Sequence, residues 1–127
     1  MDNGQLTMNE ENVLLKKTFA LAVEAVKLCR ELQEKKKEYI ISKQLLRCAT
    51  SIGAMAKEAQ HAESKADFIH KLSISLKEAN EAEYWMELLT ATGLLEGIDS
   101  TSFKIALIES LKLLTSIVKT SKSNLKK

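Results

Sequence analysis

Apolar residues recur every three or four positions along four long stretches of the chain, and this spacing predicts four amphipathic helices. Ser64 and Asp67 form a cap-like pair that opens the third helix, and Gly93 lies where that helix should end. Either Asp99 or Ser100 caps the fourth helix, which fades into a basic tail. The first three predicted helices cover about residues 8–36, 40–62 and 64–93, and the fourth runs from about residue 99 into the tail at 119–127.

The connections between these helices are short, and short connections make consecutive helices antiparallel neighbours. The composition agrees, since the chain has no proline, four glycines and 45% hydrophobic residues. We therefore predict an all-α fold, an antiparallel up-down-up-down four-helix bundle. Residues 1–127 should form one domain, with flexible residues at about 1–7 and 119–127.

Each helix should bury one seam of residues at alternating spacings of three and four. In the second helix, small and aliphatic residues in this seam predict close packing against a neighbour. The predicted core positions are Leu15, Phe19, Ala22, Val26 and Cys29 in the first helix, Leu45, Ala49, Ile52, Ala56 and Ala59 in the second, Phe68, Leu72, Ser75, Ala79, Ala82, Met86 and Leu89 in the third, and Phe103, Leu107, Leu111, Leu114 and Val118 in the fourth.

Two helices carry more apolar surface than one such seam accounts for. The first helix adds Leu14, Leu21, Ala25, Leu28 and Leu32, so its apolar arc covers about half of the circumference. The third helix has a second apolar group nearly opposite its core face. Because a contiguous exposed apolar patch usually marks an interface, we predict self-association. The predicted oligomer interface is Leu21, Leu28, Ile74, Trp85 and Leu88.

A polar edge lies beside the core seam of the second helix. Arg47, Ser51 and Glu58 fall within about 40° of one another on a helical wheel. Folding the third helix back places Arg47 level with residues 80–83, and Glu83 shares a side with the core residues. A buried carboxylate needs a partner, so we predict a salt bridge between Glu83 and Arg47 that fixes the helix register.

The same region of the sequence resembles a known bacterial family. The runs that carry the resemblance are RCATSIGA (residues 47–54) with KEA (57–59), SKADFIHKL (64–72) and LKEANEAEYWMELL (76–89). They are similar to the small four-helix-bundle proteins encoded in intervening sequences of large-subunit ribosomal RNA genes. The accessory protein of diversity-generating retroelements is similar too. Where the family pattern often has Asn, this chain has Met55.

The resemblance implies an antiparallel four-helix bundle that assembles into a homopentameric ring. For the retroelement accessory protein it implies binding of nucleic acid, RNA or DNA, and of a reverse transcriptase through a basic surface of the ring. These partners are expectations for the present chain.

Basic residues on the first helix also favour nucleic-acid binding. Lys16, Lys27, Arg30 and Lys37 fall within about 80° on the wheel, although Glu34 interrupts them, and the tail adds Lys122. The net charge of +2 permits nucleic-acid binding without requiring it. No aromatic residue is predicted in this stripe, so binding would be directed to the phosphate backbone and largely independent of sequence.

Two other functions fit parts of the pattern. One is a protein-binding scaffold with no nucleic-acid role, using the face of Ile74, Trp85 and Leu88. The other is a di-metal carboxylate protein, because Glu58-Ala-Gln-His61 and Asp67-Phe-Ile-His70 have the carboxylate-x-x-His spacing of di-iron bundles. These motifs flank one turn at an end of the bundle, and His61 faces solvent on the wheel. We therefore predict no metal and no cofactor.

No catalytic motif is present, because the chain has neither a G-x-S-x-G elbow nor a phosphate-cradling glycine loop. We predict that the protein is not an enzyme. Cys29 and Cys48 match no metal or redox spacing and fall on apolar seams, which predicts reduced core thiols in a cytoplasmic protein. No apolar run approaches the ~20 residues that a membrane span needs, and the polar opening is unlike a signal peptide.

Overall fold

The structure, a computed structural model, describes residues 8–126, except for the side chains of Asn12 and Lys126. Over this range the chain forms four helices and no strand. The helices are α1 (Met8–Lys36), α2 (Ile41–Ala59), α3 (Lys65–Ala91) and α4 (Thr101–Lys126).

The helices are arranged as a square in chain order. Each helix packs against its neighbours in the sequence, and α1 also packs against α4. Within residues 8–126 the diagonal pairs, α1 with α3 and α2 with α4, have no Cα atoms within 8 Å of each other and meet only through their core side chains. The predicted up-down-up-down four-helix bundle is confirmed.

The predicted helix ends of α3 and α4 carry the expected capping interactions. The Ser64 hydroxyl accepts a hydrogen bond from the backbone N–H of Asp67 at 3.0 Å. At the other end of α3, Gly93 adopts a φ of 78°, a left-handed conformation that a glycine reaches without strain. The Asp99 carboxylate accepts a hydrogen bond from the N–H of Thr101 at 3.0 Å and so caps α4.

The turn between α1 and α2 depends on a carboxylate cap. Lys37 has a φ of 55° and reverses the chain, and the Glu38 carboxylate then accepts hydrogen bonds from the N–H groups of Ile40, Ile41 and Ser42 at 3.0, 2.9 and 2.7 Å. Partial burial raises the pKa of Glu38, but these N–H groups outweigh it and hold the pKa below its ordinary value of 4.5. The ionised carboxylate therefore stabilises the first turn of α2.

The predicted core seams of α2 and α3 are confirmed in full, because every residue named for them is buried. In α4, Phe103, Leu107, Leu114 and Val118 are buried and Leu111 is half-buried. Ser75 shows how the polar residues of these seams are satisfied, since its hydroxyl donates to the carbonyl of Ile52 in α2 at 2.7 Å.

The predicted core seam of α1 is wrong. Phe19 is 69% exposed and Val26 is 40% exposed, while Leu15 and Ala22 are half-buried, so only Cys29 of that seam lies in the core. The buried face is rotated around the helix toward the second apolar group. Its members are Leu14, Thr18, Leu21, Ala25, Leu28, Cys29 and Leu32.

Close packing of α1 against α2 explains this rotation. A Cβ atom at Gly53 would lie only 3.3 Å from the carbonyl oxygen of Thr18, so the two backbones approach too closely there to enclose a phenylalanine ring. Phe19 is therefore left outside. Leu21 and Leu28 are 0% and 3% exposed inside the core, so their assignment to an oligomer interface is also wrong.

The fourth helix does not end where the basic tail begins. It continues past Lys119 to Lys126, and Ser121 in this extension is buried. No proline or glycine interrupts the segment, and Ser121 continues the buried side that includes Leu114 and Val118. The flexibility expected for the tail stays a prediction, and the remaining residues expected to be flexible, 1–7 and 127, lie outside the described residues.

None of the four helices, over the part of the chain that the structure describes, combines the length and the apolar composition that a bilayer span needs.

Candidate nucleic-acid interface

An open groove of about 550 Å³ runs along the outside of the bundle between α1 and α2, and we call it the α1–α2 groove. Its lining is mostly apolar. Half-buried Leu15 and Ala22 of α1 and Gly53 of α2 form part of its wall. Phe19, whose ring is largely exposed, also lines the groove.

Positive charges lie on both sides of the α1–α2 groove. Lys16 of α1 and Lys57 of α2 line it directly, and both are exposed. Further along, the Cys29 thiol donates to the carbonyl of Ser42 at 3.3 Å, and this contact between the helices places the next residues, Arg30 and Lys43, level with each other. Lys16 and Arg30 on α1 are fourteen residues apart, and so are Lys43 and Lys57 on α2. This spacing corresponds to about 21 Å along each helix.

These cations are available for a ligand. Within residues 8–126, Lys16, Arg30, Lys43 and Lys57 make no ion pair. Lys27, further around α1, lies 3.7 Å from Glu24 but remains 65% exposed. Four cations without an ion pair produce a positive potential along this side of the bundle, which exposed Glu34, one turn from Arg30, offsets in part.

The structure brings together some of the predicted nucleic-acid-binding residues and separates others. Lys16, Lys27 and Arg30 lie on the exposed side of α1, and Lys37 is exposed at the turn that follows it. Lys122 lies on α4, about five helical turns from Lys104, which lines a groove between α3 and α4. Lys122 therefore belongs to a different face of the bundle.

Sequence reasoning missed Lys43 and Lys57, the cations that α2 contributes. Their spacing of fourteen residues places them within about 40° of each other on α2, so a helical wheel could have grouped them. What the wheel of one helix could not show is that this side of α2 meets the basic side of α1.

The expectation that no aromatic residue accompanies the basic stripe is wrong. Phe19 lies about 20° from Arg30 and about 60° from Lys16 around α1, and it is 69% exposed. The prediction fails because it places Phe19 in the core, whereas the ring lies on the exposed side of α1.

The polar edge of α2 faces α3, but with partners other than the predicted one. The guanidinium of Arg47 donates to Glu81 at 2.5 Å and to Glu78 at 3.4 Å. Glu83, the predicted partner, is exposed and lines the groove between α3 and α4. Glu83 lies about 160° around the helix from Glu81, so it cannot reach α2 and the predicted pair is wrong.

The other residues of this edge have local partners. The Ser51 hydroxyl donates to the carbonyl of Arg47 at 2.8 Å, one turn earlier in the same helix. Glu58 lies 3.7 Å from the ammonium of Lys71, which also lies 3.8 Å from Asp67. The edge is thus a row of ion pairs between α2 and α3, and its carboxylates already have cationic partners.

A second apolar patch lies on α3. Ile74, Trp85 and Leu88 are half-buried, and the Trp85 Nε1–H donates to Glu81 at 3.2 Å. Tyr84 is 56% exposed and contacts Trp85 edge to face, with ring centroids 5.1 Å apart. Part of this aromatic pair therefore remains open to contact.

The residues that could hold a metal do not fit one well. Among the described residues, the group whose ligand atoms lie within 4.8 Å of one another is Cys48, Glu78 and Glu81. Arg47 already binds both carboxylates. Burial, reinforced by Glu81, raises the pKa of the Cys48 thiol to about 12, which opposes the thiolate that a metal requires.

The carboxylate-x-x-His motifs are not assembled into a site either. Glu58 and Asp67 are engaged by Lys71, and both His61 and His70 are exposed. These four side chains lie at the surface and do not converge on a common metal position inside the bundle.

These features define an all-α antiparallel four-helix bundle with a basic, partly apolar groove along one side. Over residues 10–116 the sequence matches the family model described as 23S rRNA-intervening sequence protein, and the chain belongs to that family. The resemblance noted in the sequence is thereby confirmed.

A solved structure supports the same assignment. A crystal structure of a protein with unknown function from the S23 ribosomal protein family of Bacteroides thetaiotaomicron VPI-5482 is 47% identical in sequence. The alignment covers 87% of this chain and 98% of that one, with a TM-score of 0.81. No match is found among curated proteins.

Proposed function

We propose that this chain is a cytoplasmic, non-catalytic, self-associating module that binds nucleic acid through the α1–α2 groove. The observation that carries the proposal is the set of unpaired cations on both sides of this groove. Lys16 and Lys57 line the groove, and exposed Arg30 and Lys43 lie beyond it on the same sides of α1 and α2.

Charge neutralisation provides the binding energy. A protein that neutralises phosphates releases their condensed counterions, so the affinity falls steeply as salt rises. Four contacts to a single strand correspond to a slope of about −3 in a plot of log affinity against log salt. Such binding is weak for one subunit, and repetition of the groove in an oligomer would strengthen it by avidity.

The comparisons support an RNA context for the proposal. The family is named for intervening sequences of 23S rRNA, and the Bacteroides relative is described as a member of a ribosomal protein family. Of the two polyanions RNA and DNA, we therefore expect RNA to be the physiological ligand. The reverse transcriptase that the resemblance implies stays a prediction.

Self-association is proposed to use the apolar patch on α3. Ile74, Trp85 and Leu88 remain only half-buried in a single chain, and the exposed ring of Tyr84 extends this surface. Aromatic residues are enriched at protein interfaces, where one side of the ring is buried by the partner. The pentameric ring is the assembly that the family resemblance implies.

Reversal of two charges in the groove tests nucleic-acid binding. We expect the double variant Lys43→Glu, Lys57→Glu to bind a fluorescent RNA at least tenfold more weakly in about 50 mM salt, measured by fluorescence anisotropy. The control Lys104→Glu, Lys112→Glu makes the same change in net charge on α4. Equal weakening by both variants, or no binding by the native protein, would contradict the proposal.

The aromatic pair on α3 favours a second candidate, a protein-binding scaffold with no nucleic-acid role. Leu88→Glu tests whether this patch joins copies of the chain or binds another protein. Ile105→Glu, on the exposed side of α4, is the matched control. If the patch joins copies of this chain, only Leu88→Glu lowers the mass measured by light scattering. An unchanged mass for both variants would leave the patch free for another protein and favour the scaffold.

A further inference from the structure

We infer that the nucleic acid bound in the α1–α2 groove is single-stranded, with one base stacked on the ring of Phe19. This inference rests on the proposed function and specifies its ligand. It is carried by the juxtaposition of an exposed aromatic ring with unpaired lysines in one groove.

Phe19 is well placed to act as a stacking platform. Its ring is 69% exposed and extends from the middle of α1, so the backbone beneath it is fixed by the helix. Lys16 and Lys57 line the same groove, and they place positive charge beside the ring. An aromatic side chain within a positively charged groove is the arrangement that proteins use to bind single strands, because every base offers a flat face for stacking.

A double helix does not fit this arrangement. In a duplex the faces of the bases are covered by their neighbours, so a ring that projects from a protein helix has no base face to contact. The volume of about 550 Å³ is that of a small-ligand pocket, far less than a duplex would occupy. A single strand can turn one base into such a space while its phosphates follow the lysines.

The charges continue beyond the ring, which favours a strand over a single nucleotide. Arg30 and Lys43 lie about 21 Å along the bundle from Lys16 and Lys57. At about 3.4 Å per stacked nucleotide this distance corresponds to roughly six nucleotides. The two pairs of cations therefore match a short stretch of single strand with phosphates near both ends, and the groove with Phe19 lies beside one of these pairs.

Charge complementarity favours a polyanion over a second copy of the chain as the occupant. Of the sixteen acidic side chains in residues 8–126, at least seven are already in ion pairs. Those in pairs are Glu24, Glu31, Glu58, Asp67, Glu78, Glu81 and Glu109. The groove between α3 and α4 holds Glu83 and Glu87 but also Lys104, so it offers too little negative charge to match four cations.

Three variants of one residue test the stacking interaction. The probes are a twelve-nucleotide oligouridylate and a twelve-base-pair RNA duplex, both followed by fluorescence anisotropy. Phe19→Ala and Phe19→Leu should weaken oligouridylate binding by about fivefold to a hundredfold, the effect of losing one stacked base. Phe19→Trp should keep or increase the affinity, and Ile105→Ala, another exposed apolar truncation, should leave it unchanged.

The outcomes separate this inference from the proposed function. If all Phe19 variants bind oligouridylate as the native protein does while Lys43→Glu, Lys57→Glu binds weakly, nucleic acid is bound but the ring does not stack. Equal losses for the duplex and the single strand would also overturn the inference. A change of oligomeric mass in Phe19→Ala would show that a second copy covers the ring instead.

Discussion

Alanine substitutions at Leu21 and Phe19 test the orientation of α1 directly. These residues are two positions apart and face nearly opposite directions around the helix. Leu21 is 0% exposed in the core, whereas Phe19 is 69% exposed beside the α1–α2 groove. We predict that Leu21→Ala is strongly destabilising and that Phe19→Ala is nearly neutral, although phenylalanine is the larger side chain.

The expected magnitudes follow from burial. Truncation of a fully buried leucine removes its transfer free energy and leaves a cavity, which together cost about 3 kcal/mol. Complete burial of a phenylalanine ring is worth roughly 2.5 kcal/mol, and only about a third of Phe19 is buried. Its loss should therefore lower the free energy of unfolding by less than about 1 kcal/mol.

Urea denaturation followed by circular dichroism measures both effects. All samples need the same protomer concentration, because the stability of an oligomer depends on concentration. A larger loss for Phe19→Ala than for Leu21→Ala would refute the described rotation of α1. It would also place Phe19 in the core and remove the basis for stacking.

Three further predictions concern the helix cap, the thiols and the ion pair. Glu38→Ala should cost about 1 kcal/mol at pH 7, and the cost should vanish as the pH falls from about 5 through the lowered pKa of the carboxylate, measured by urea denaturation across this range. Cys29 and Cys48, whose thiol pKa values burial raises to about 12, should resist a disulfide reagent at pH 8 until the protein is unfolded, as absorbance would show. A double-mutant cycle in urea should give Arg47 and Glu81 a coupling of about 0.5–1 kcal/mol.

Each of these expectations has a contrary result. A cost for Glu38→Ala that stays constant down to pH 3 would show that ionisation of the cap is irrelevant. Rapid reaction of either thiol in the folded protein would show that the core opens. Coupling of Arg47 to Glu83 instead of Glu81 would restore the register that the sequence predicted.

The sequence predicted the buried faces of three helices well because in each of them the spacing of three and four marks one continuous core seam. In α2 and α3 every predicted seam residue is buried, although α3 also carries the second apolar group of Ile74, Trp85 and Leu88. In α1 the apolar residues cover about half of the circumference, so spacing alone does not fix the direction that faces inward. The contact between Thr18 and Gly53 settles it, and that contact exists only in the folded bundle.

The candidate site, too, could be predicted from the sequence only as far as it depends on a single helix. The cations of α1 could be predicted from one helical wheel, but their association with Lys43 and Lys57 depends on which sides of two helices meet. The partner of Arg47 was misplaced for a related reason. A two-residue difference, from Glu81 to Glu83, turns a side chain through about 160° and moves it to another face.

The salt dependence of RNA binding tests the central claim, that the α1–α2 groove binds nucleic acid, most directly. A six-nucleotide oligouridylate, long enough to span the ~21 Å between the two pairs of cations, would be titrated with native protein and with Lys43→Ala, Lys57→Ala over a range of salt concentrations. The account predicts a slope of about −3 for the native protein and about −1.5 for the variant, because two of four phosphate contacts are lost. The same slope for both proteins, or no binding at low salt, would contradict it.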